Sequence, residues 1–398
     1  MRIGIFSLII AYVLSQFYRA FLAVMTPALK ADLGASPEDL ARASGAWFIV
    51  FALMQLPVGW ALDNIGPKRL AAALLAIGGG GGALVFANAT SPDHILYAMM
   101  LIGMGCSPVL MASYYIFARM YSPAIFGTLA GMVIGFGALG NIAGALPLAL
   151  AVESFGWRAC LWALVAVTLL VALAILFTVQ DPPKVALEDG QRKGSVLDLL
   201  KMPALWMIFP LMFAQYAPAA GLRGSWAGPF MRDVYGLDAT GIGWVTMGIA
   251  LAMVLGSFAY GPLDRIFKTR KWVILPGNVI AVGFVFALWA MPTSGVWSVA
   301  LMMAAIGLFG ASFPLIMAHG RSFYPPHLVG RGVTLMNMFG IGGVGFFQFT
   351  SANIFNSAKA SAGAEGAITA PYQAVFLYFA VPCLIGCVIY LFSQDRTD

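Results

Sequence analysis

Charge is what this sequence has least of. Only 10% of its 398 residues are Asp, Glu, Lys or Arg, where an average soluble domain carries about 25%. With 61% hydrophobic residues besides, the chain cannot cover a water-facing surface, and that excludes a soluble globular protein. Cysteine is scarce too. The four present, Cys106, Cys160, Cys383 and Cys387, all lie in apolar stretches, so they read as small core residues with no disulfide or metal framework. Three histidines leave little for a metal site, and the 21 methionines lack paired ligands at a fixed spacing, so they read as core filler. No activated nucleophile stands out, and neither an enzyme nor a cofactor is expected.

What is present is a series of long apolar runs. Each approaches the ~20 residues that cross ~30 Å of hydrocarbon. Twelve are counted, at 4–27, 43–62, 70–89, 95–118, 125–150, 159–179, 204–228, 241–262, 272–291, 297–319, 332–353 and 372–393. The first is too long for a signal peptide, lacks a small-residue cleavage site and is followed by eleven more, so it is taken as a span. The net charge of +6 does not point to nucleic acid, because its distribution follows topology. Arg2, Lys68, Arg69, Arg119, Lys184, Arg192, Lys193, Lys201, Arg265, Lys268, Arg270, Lys271, Arg321, Arg331 and Arg396 fall on one side, and only Lys30, Arg42, Arg158, Arg232 and Lys359 on the other. By the positive-inside rule both termini are cytoplasmic, and the expected location is a bacterial inner membrane.

The longest polar stretch, DPPKVALEDGQRKGSVLDLLK, follows six spans and precedes six. The expected organisation is therefore an all-α membrane protein of two pseudo-symmetric six-helix bundles, 1–180 and 204–398, joined by a cytoplasmic linker at 181–203. A repeat supports it. Asp63 and Asp264 are 201 residues apart; Arg119 and Arg321, Pro123 and Pro325, and Pro27 and Pro229 are each 202 apart. Duplicated halves with substrate held between them are a known transporter design.

The residues at these repeats also match a family. Gly59, Asp63, Gly66, Lys68 and Arg69 between spans 2 and 3 resemble the signature of the major facilitator superfamily, and Phe155-Gly156-Trp157-Arg158 before span 6 is similar to its pattern there. Two departures stand out: Asn64 replaces a basic residue, and Gly261 precedes Asp264 by three residues instead of four. The resemblance implies twelve spans, alternating access and a cytoplasmic gate at Asp63, Lys68, Arg69, Asp264 and Arg265.

Two arginines lie inside spans. At a bilayer centre an arginine costs roughly 2.5–3.5 kcal/mol on insertion scales, so it is rarely kept without a function. Arg19 is in span 1 and Arg223 in span 7; a tyrosine, Tyr12 or Tyr216, stands seven residues before each, with Gln16 on the same stripe as Arg19 and Gln215 close to that of Arg223. Guanidinium groups match carboxylate or phosphate oxygens two at a time, and no Asp or Glu falls within a span to neutralise them. The pattern predicts a small anionic substrate bound by Arg19 and Arg223 and oriented by Tyr12, Gln16 and Tyr216. Arg19 with Pro27 also resembles helix 1 of the organophosphate:phosphate antiporters, and Asp264 to Arg270 their loop 8–9, although span 5 lacks their histidine.

Tyr114, Tyr115, Asn141, Trp226, Asn337 and Gln348 are further candidates for lining the cavity, each equally able to bond a neighbouring helix. Gly340 to Gly345 matches G-x-G-x-x-G, but no strand precedes it, so it reads as a packing face. The five glycines Gly78 to Gly82 read as close packing or a bend, and His319 as an interface residue. Without a membrane carboxylate, anion exchange or symport with a substrate-borne proton is expected, in a monomer whose partners are the substrate, the bilayer and protons or a counter-anion. The alternatives are a neutral or cationic metabolite or drug carrier, and a non-transporting membrane sensor or assembly factor.

Overall fold

The computed structural model describes residues 2–121, 123–182, 196–324, 329–362 and 368–396, and every regular element among them is helical. Eleven stretches are long and apolar enough to cross a membrane: Ile3–Ala20, Pro37–Leu62, Pro67–Ala87, Pro92–Phe117, Met132–Phe155, Trp157–Thr178, Pro203–Tyr235, Ala239–Asp264, Lys271–Ala290, Val296–Arg321 and Ala370–Tyr390. The helix Val329–Ser361 covers the remaining run, so spans 1 to 12 all stand on helices. Most of the expected linker lies outside the described residues.

The chain divides into two compact units, residues 1–189 with 238–247, and 190–237 with 248–398. The first turns of span 8 fall with unit 1 because they are held there. The Thr240 backbone N–H donates to Glu153 at 3.0 Å, and a Cβ added at Gly243 would lie 2.8 Å from the Ala149 Cβ.

Local sequence explains where the spans of unit 1 start. Pro37, Pro67 and Pro92 occupy the first helical turn of spans 2 to 4, where their missing N–H costs nothing. Ser36 and Asp39 add a reciprocal capping box to span 2. Span 3 contains a π-helical turn, Leu75–Gly80, at the glycine run. A Cβ at Gly78 would sit 2.6 Å from the Gly105 nitrogen, so spans 3 and 4 cross backbone to backbone there. Spans 1 and 5 meet as closely, for a Cβ at Gly140 would fall 1.9 Å from the Val13 carbonyl oxygen.

Unit 2 has the same close approach between spans 7 and 11. A Cβ at Gly343 would lie 1.8 Å from the Phe213 carbonyl oxygen. The G-x-G-x-x-G match is thus a helix-packing face.

Each unit is also tied at both ends by a carboxylate. In unit 1 the Trp157 indole N–H donates to Asp32 at 2.8 Å and Arg158 pairs with it at 3.3 Å, while Asp181 accepts from the Lys68 N–H at 2.8 Å. In unit 2 the Tyr372 hydroxyl donates to Asp233 at 2.7 Å, and Asp395 accepts from the Arg270 and Lys271 N–H groups at 3.1 and 3.0 Å and from the Thr269 hydroxyl. His319 joins the second tie. Its Nε2 donates to the Gln394 carbonyl at 2.9 Å and its Nδ1 accepts from the Tyr390 hydroxyl at 2.6 Å, so both ring nitrogens have partners.

Candidate functional site

Span 1 does not run on as one helix to Pro27. The α-helix ends at Ala20, a short 3-10 turn follows at Ala23–Met25 and a new helix begins at Thr26. Arg19 is therefore in the last turn, where a helix terminus favours a cation. Its side chain is 9% exposed and reaches span 2, with its guanidinium carbon 5.1 Å from the Trp47 ring centre and 4.9 Å from that of Phe51. Those two rings stack at 5.0 Å and 18°. An arginine over two aromatic faces keeps a favourable cation–π environment while its N–H groups remain available. Nε of Arg19, the Trp47 indole nitrogen and Oε1 of Gln55 are buried with no hydrogen-bond partner among the described residues, and the buried Ser15 hydroxyl has only the Cys106 thiol beside it.

Other candidates of unit 1 gather toward the start of span 1. Gln16 donates to the Tyr12 hydroxyl at 2.7 Å, and Tyr12, Tyr114 and Tyr115 belong to one apolar cluster with residues of spans 2 to 4. The Tyr115 ring also receives the Arg119 guanidinium at 4.3 Å. Asn141 is half-buried, with its Oδ1 unpartnered among the described residues. Ser15, Trp47, Phe51 and Gln55 were not foreseen. The last three repeat at i, i+4 and i+8 on span 2, a spacing that puts them on one helical face, and that stripe was the signal available.

In unit 2 the span carrying Arg223 is broken. Short helices at Phe209–Ala214 and Ala217–Gly221 lead into a π-helical turn, Leu222–Trp226, that contains the arginine; such turns often mark functional sites. Pro218 and the glycines at 221 and 224 are the local cause, because neither residue type supports a regular helix. Arg223 is 2% exposed. Gln215, in the gap between the short helices, is 2% exposed and has neither amide atom hydrogen-bonded among the described residues. Tyr216 packs on Phe313 at 5.6 Å.

Two candidates are drawn into the packing instead. Trp226 is fully buried, 5.0 Å from the Phe355 ring, and donates to the Ser351 hydroxyl at 2.9 Å; that hydroxyl donates to the Gln348 carbonyl at 2.6 Å. Asn337 is half-buried on span 11. At the loops, Lys68 and Arg69 begin span 3, and Asp264 pairs with Arg270 at 3.4 Å. The side chains of Asp63 and Arg265 lie outside the described residues.

A family model described as Major Facilitator Superfamily matches residues 8–343, and a second match runs over 224–398. The chain belongs to the Major Facilitator Superfamily. Solved superfamily structures share its fold. A bacterial homologue of the human lysosomal transporter Spinster, inward-facing and occupied, aligns with a TM-score of 0.75 at 18% identity over 98% of this chain and 96% of the other. A D-xylose–proton symporter aligns with a TM-score of 0.75 at 14% identity over 99% and 98%. Among curated relatives, the MFS-type transporter SLC18B1 of Mus musculus is 24% identical over 69% of this chain, which spans 61% of that protein's length. The probable sulfoacetate transporter SauU of Cupriavidus necator is 24% identical over 72% of this chain and 70% of its own. These relatives are named as transporters.

Proposed function

We propose that this superfamily member moves a small anion across the membrane by alternating access. The substrate is an organic anion bearing a carboxylate, a sulfonate or a phosphate-type group, held by Arg19 and Arg223 and oriented by Tyr12, Gln16, Tyr216 and Gln215. The observation that carries this reading is the buried guanidinium of Arg19, which has aromatic faces around it while no Asp or Glu is among the buried residues described. A buried charge without a carboxylate is costly, and an anionic substrate offsets that cost. The relative named for sulfoacetate, a small organic anion, agrees with this reading. The likeness of span 1 to the organophosphate:phosphate antiporters stays at the level of those short motifs.

Coupling is by exchange against a second anion, or by symport with a proton carried on the substrate, because no carboxylate is among the buried residues described. The loops after spans 2 and 8 act as the gate on the cytoplasmic side, with both termini on that side.

The test is a thermal-shift screen of the detergent-purified protein against sulfoacetate, carboxylates, phosphate esters, nitrate and neutral controls, beside Arg19→Gln and Arg223→Gln. A ligand at 100 times its dissociation constant stabilises by about 2.7 kcal/mol. Anions are expected to shift wild type far more than either variant. Neutral or cationic compounds that shift all three proteins, with no anion acting, sink the reading and make the arginines scaffolding.

A further inference from the structure

Two buried hydrogen-bond donors of spans 1 and 2, Nε–H of Arg19 and the indole N–H of Trp47, lack a partner among the described residues, and the buried Ser15 hydroxyl has only the weakly bonding Cys106 thiol. They belong together. Ser15 stands one helical turn before Arg19 on span 1, which places both on one face, and the Arg19 guanidinium carbon is 5.1 Å from the Trp47 ring centre. Ser15 is 1% exposed and Trp47 fully buried. A buried donor left unmade is costly, and buried polar groups in folded proteins nearly all find partners. Two of these three, the guanidinium and the indole, can only donate. The complement is a group rich in acceptors.

The placement is rigid. Trp47 stacks on Phe51 and meets Phe48 edge-on at 4.8 Å. Behind it, span 4 approaches so closely that a Cβ at Gly103 would lie 2.4 Å from the Trp47 carbonyl oxygen. Arg19 is also the one Lys or Arg among the buried residues described for unit 1, so the local charge to be balanced is a single positive one.

We infer that Ser15 and Trp47 complete the Arg19 site and that the three groups together hold one singly charged oxyanion group of the substrate, a carboxylate or a sulfonate. This rests on the anion-transport reading above and narrows it. Trp47 is then a specificity-determining residue, whose fixed N–H selects an oxygen acceptor while its ring face carries the guanidinium. A doubly charged phosphate monoester leaves one negative charge uncompensated in unit 1.

The experiment titrates propionate, methanesulfonate, sulfoacetate and inorganic phosphate at pH 8 into the purified full chain, reading dissociation constants from thermal shifts. Wild type is compared with Trp47→Phe, Ser15→Ala and Arg19→Gln. Trp47→Phe keeps an aromatic face and removes the N–H, which has no hydrogen-bond partner among the described residues. It is expected to weaken carboxylate and sulfonate binding about tenfold, as a hydrogen bond to a charged group should. Ser15→Ala is expected to act in the same direction and serves if the tryptophan variant fails to fold. If Arg19→Gln abolishes binding while Trp47→Phe and Ser15→Ala bind as wild type does, this inference is overturned and the anion reading stands. Tighter binding of phosphate than of the other three probes overturns the charge class. If none of the four shifts wild type, the anion reading falls and this inference with it.

Discussion

Arg19 and Arg223 hold comparable places in spans 1 and 7, 204 residues apart, yet their surroundings differ. Arg19 closes a regular helix and lies across two stacked rings of span 2. Arg223 lies inside a π-helical turn of a span already broken twice. The scaffolding around them is far more alike. Gly140 and Gly343, 203 residues apart, admit a neighbouring carbonyl oxygen to 1.9 and 1.8 Å of an added Cβ. Asp32 and Asp233, 201 apart, each accept from an aromatic side chain at the start of the last span of their unit. Duplication thus kept the backbone contacts and end ties that hold six helices together, while the polar groups diverged.

The comparison breaks most violently at the glycines. Gly140→Val and Gly343→Val are each expected to destabilise by about 3 kcal/mol or more, because the added side chain must push two helix backbones apart. Melting curves of the purified variants check this, and equal losses are expected if the two contacts are equivalent. Next in size are the arginines. Arg19→Gln and Arg223→Gln are each expected to cost about 2–3 kcal/mol of substrate binding, some 30- to 150-fold, as loss of a buried charge contact does. Substrate titrations check it, and an effect confined to one arginine would make the site one-sided.

A smaller effect is expected at the outer ties. Trp157→Phe and Tyr372→Phe each remove one hydrogen bond to a carboxylate, worth about 1–2 kcal/mol. The loss in unit 1 should be the smaller, because Arg158 still pairs with Asp32 there. Chemical denaturation monitored by fluorescence reads the difference. The smallest effect concerns Asp395. Burial raises this carboxyl, but hydrogen bonds from Thr269 and from the Lys271 and Arg270 backbone outweigh that and hold it below its usual value of 3.8. A depressed folded pKa stabilises above the unfolded value and is lost as pH falls through the folded one. Asp395→Asn is therefore expected to lower stability by at most about 1 kcal/mol near pH 7, the usual size of a helix-capping contact, and by less as pH drops below 3.8. Melting temperatures of both proteins across pH 3 to 7 test the sign.

Much of this was legible in the chain itself. The paucity of charge and the twelve apolar runs determine an all-helical membrane protein, because a backbone in hydrocarbon must satisfy its own hydrogen bonds. The spacings near 202 residues and the Gly59 to Arg69 signature determine the superfamily, and the two intramembrane arginines mark themselves by their cost. Pro37, Pro67 and Pro92 announce where helices begin, since a proline sits best in the first turn. Tertiary structure decided the rest. Trp226 looked like a cavity residue and became core against Phe355 and Tyr372, for a span's sequence does not say which neighbour each face meets. Trp47 and Ser15 looked like ordinary span residues until Arg19 was placed beside Trp47. Whether a buried donor has a partner depends on groups far away in sequence, and only packing brings those within reach.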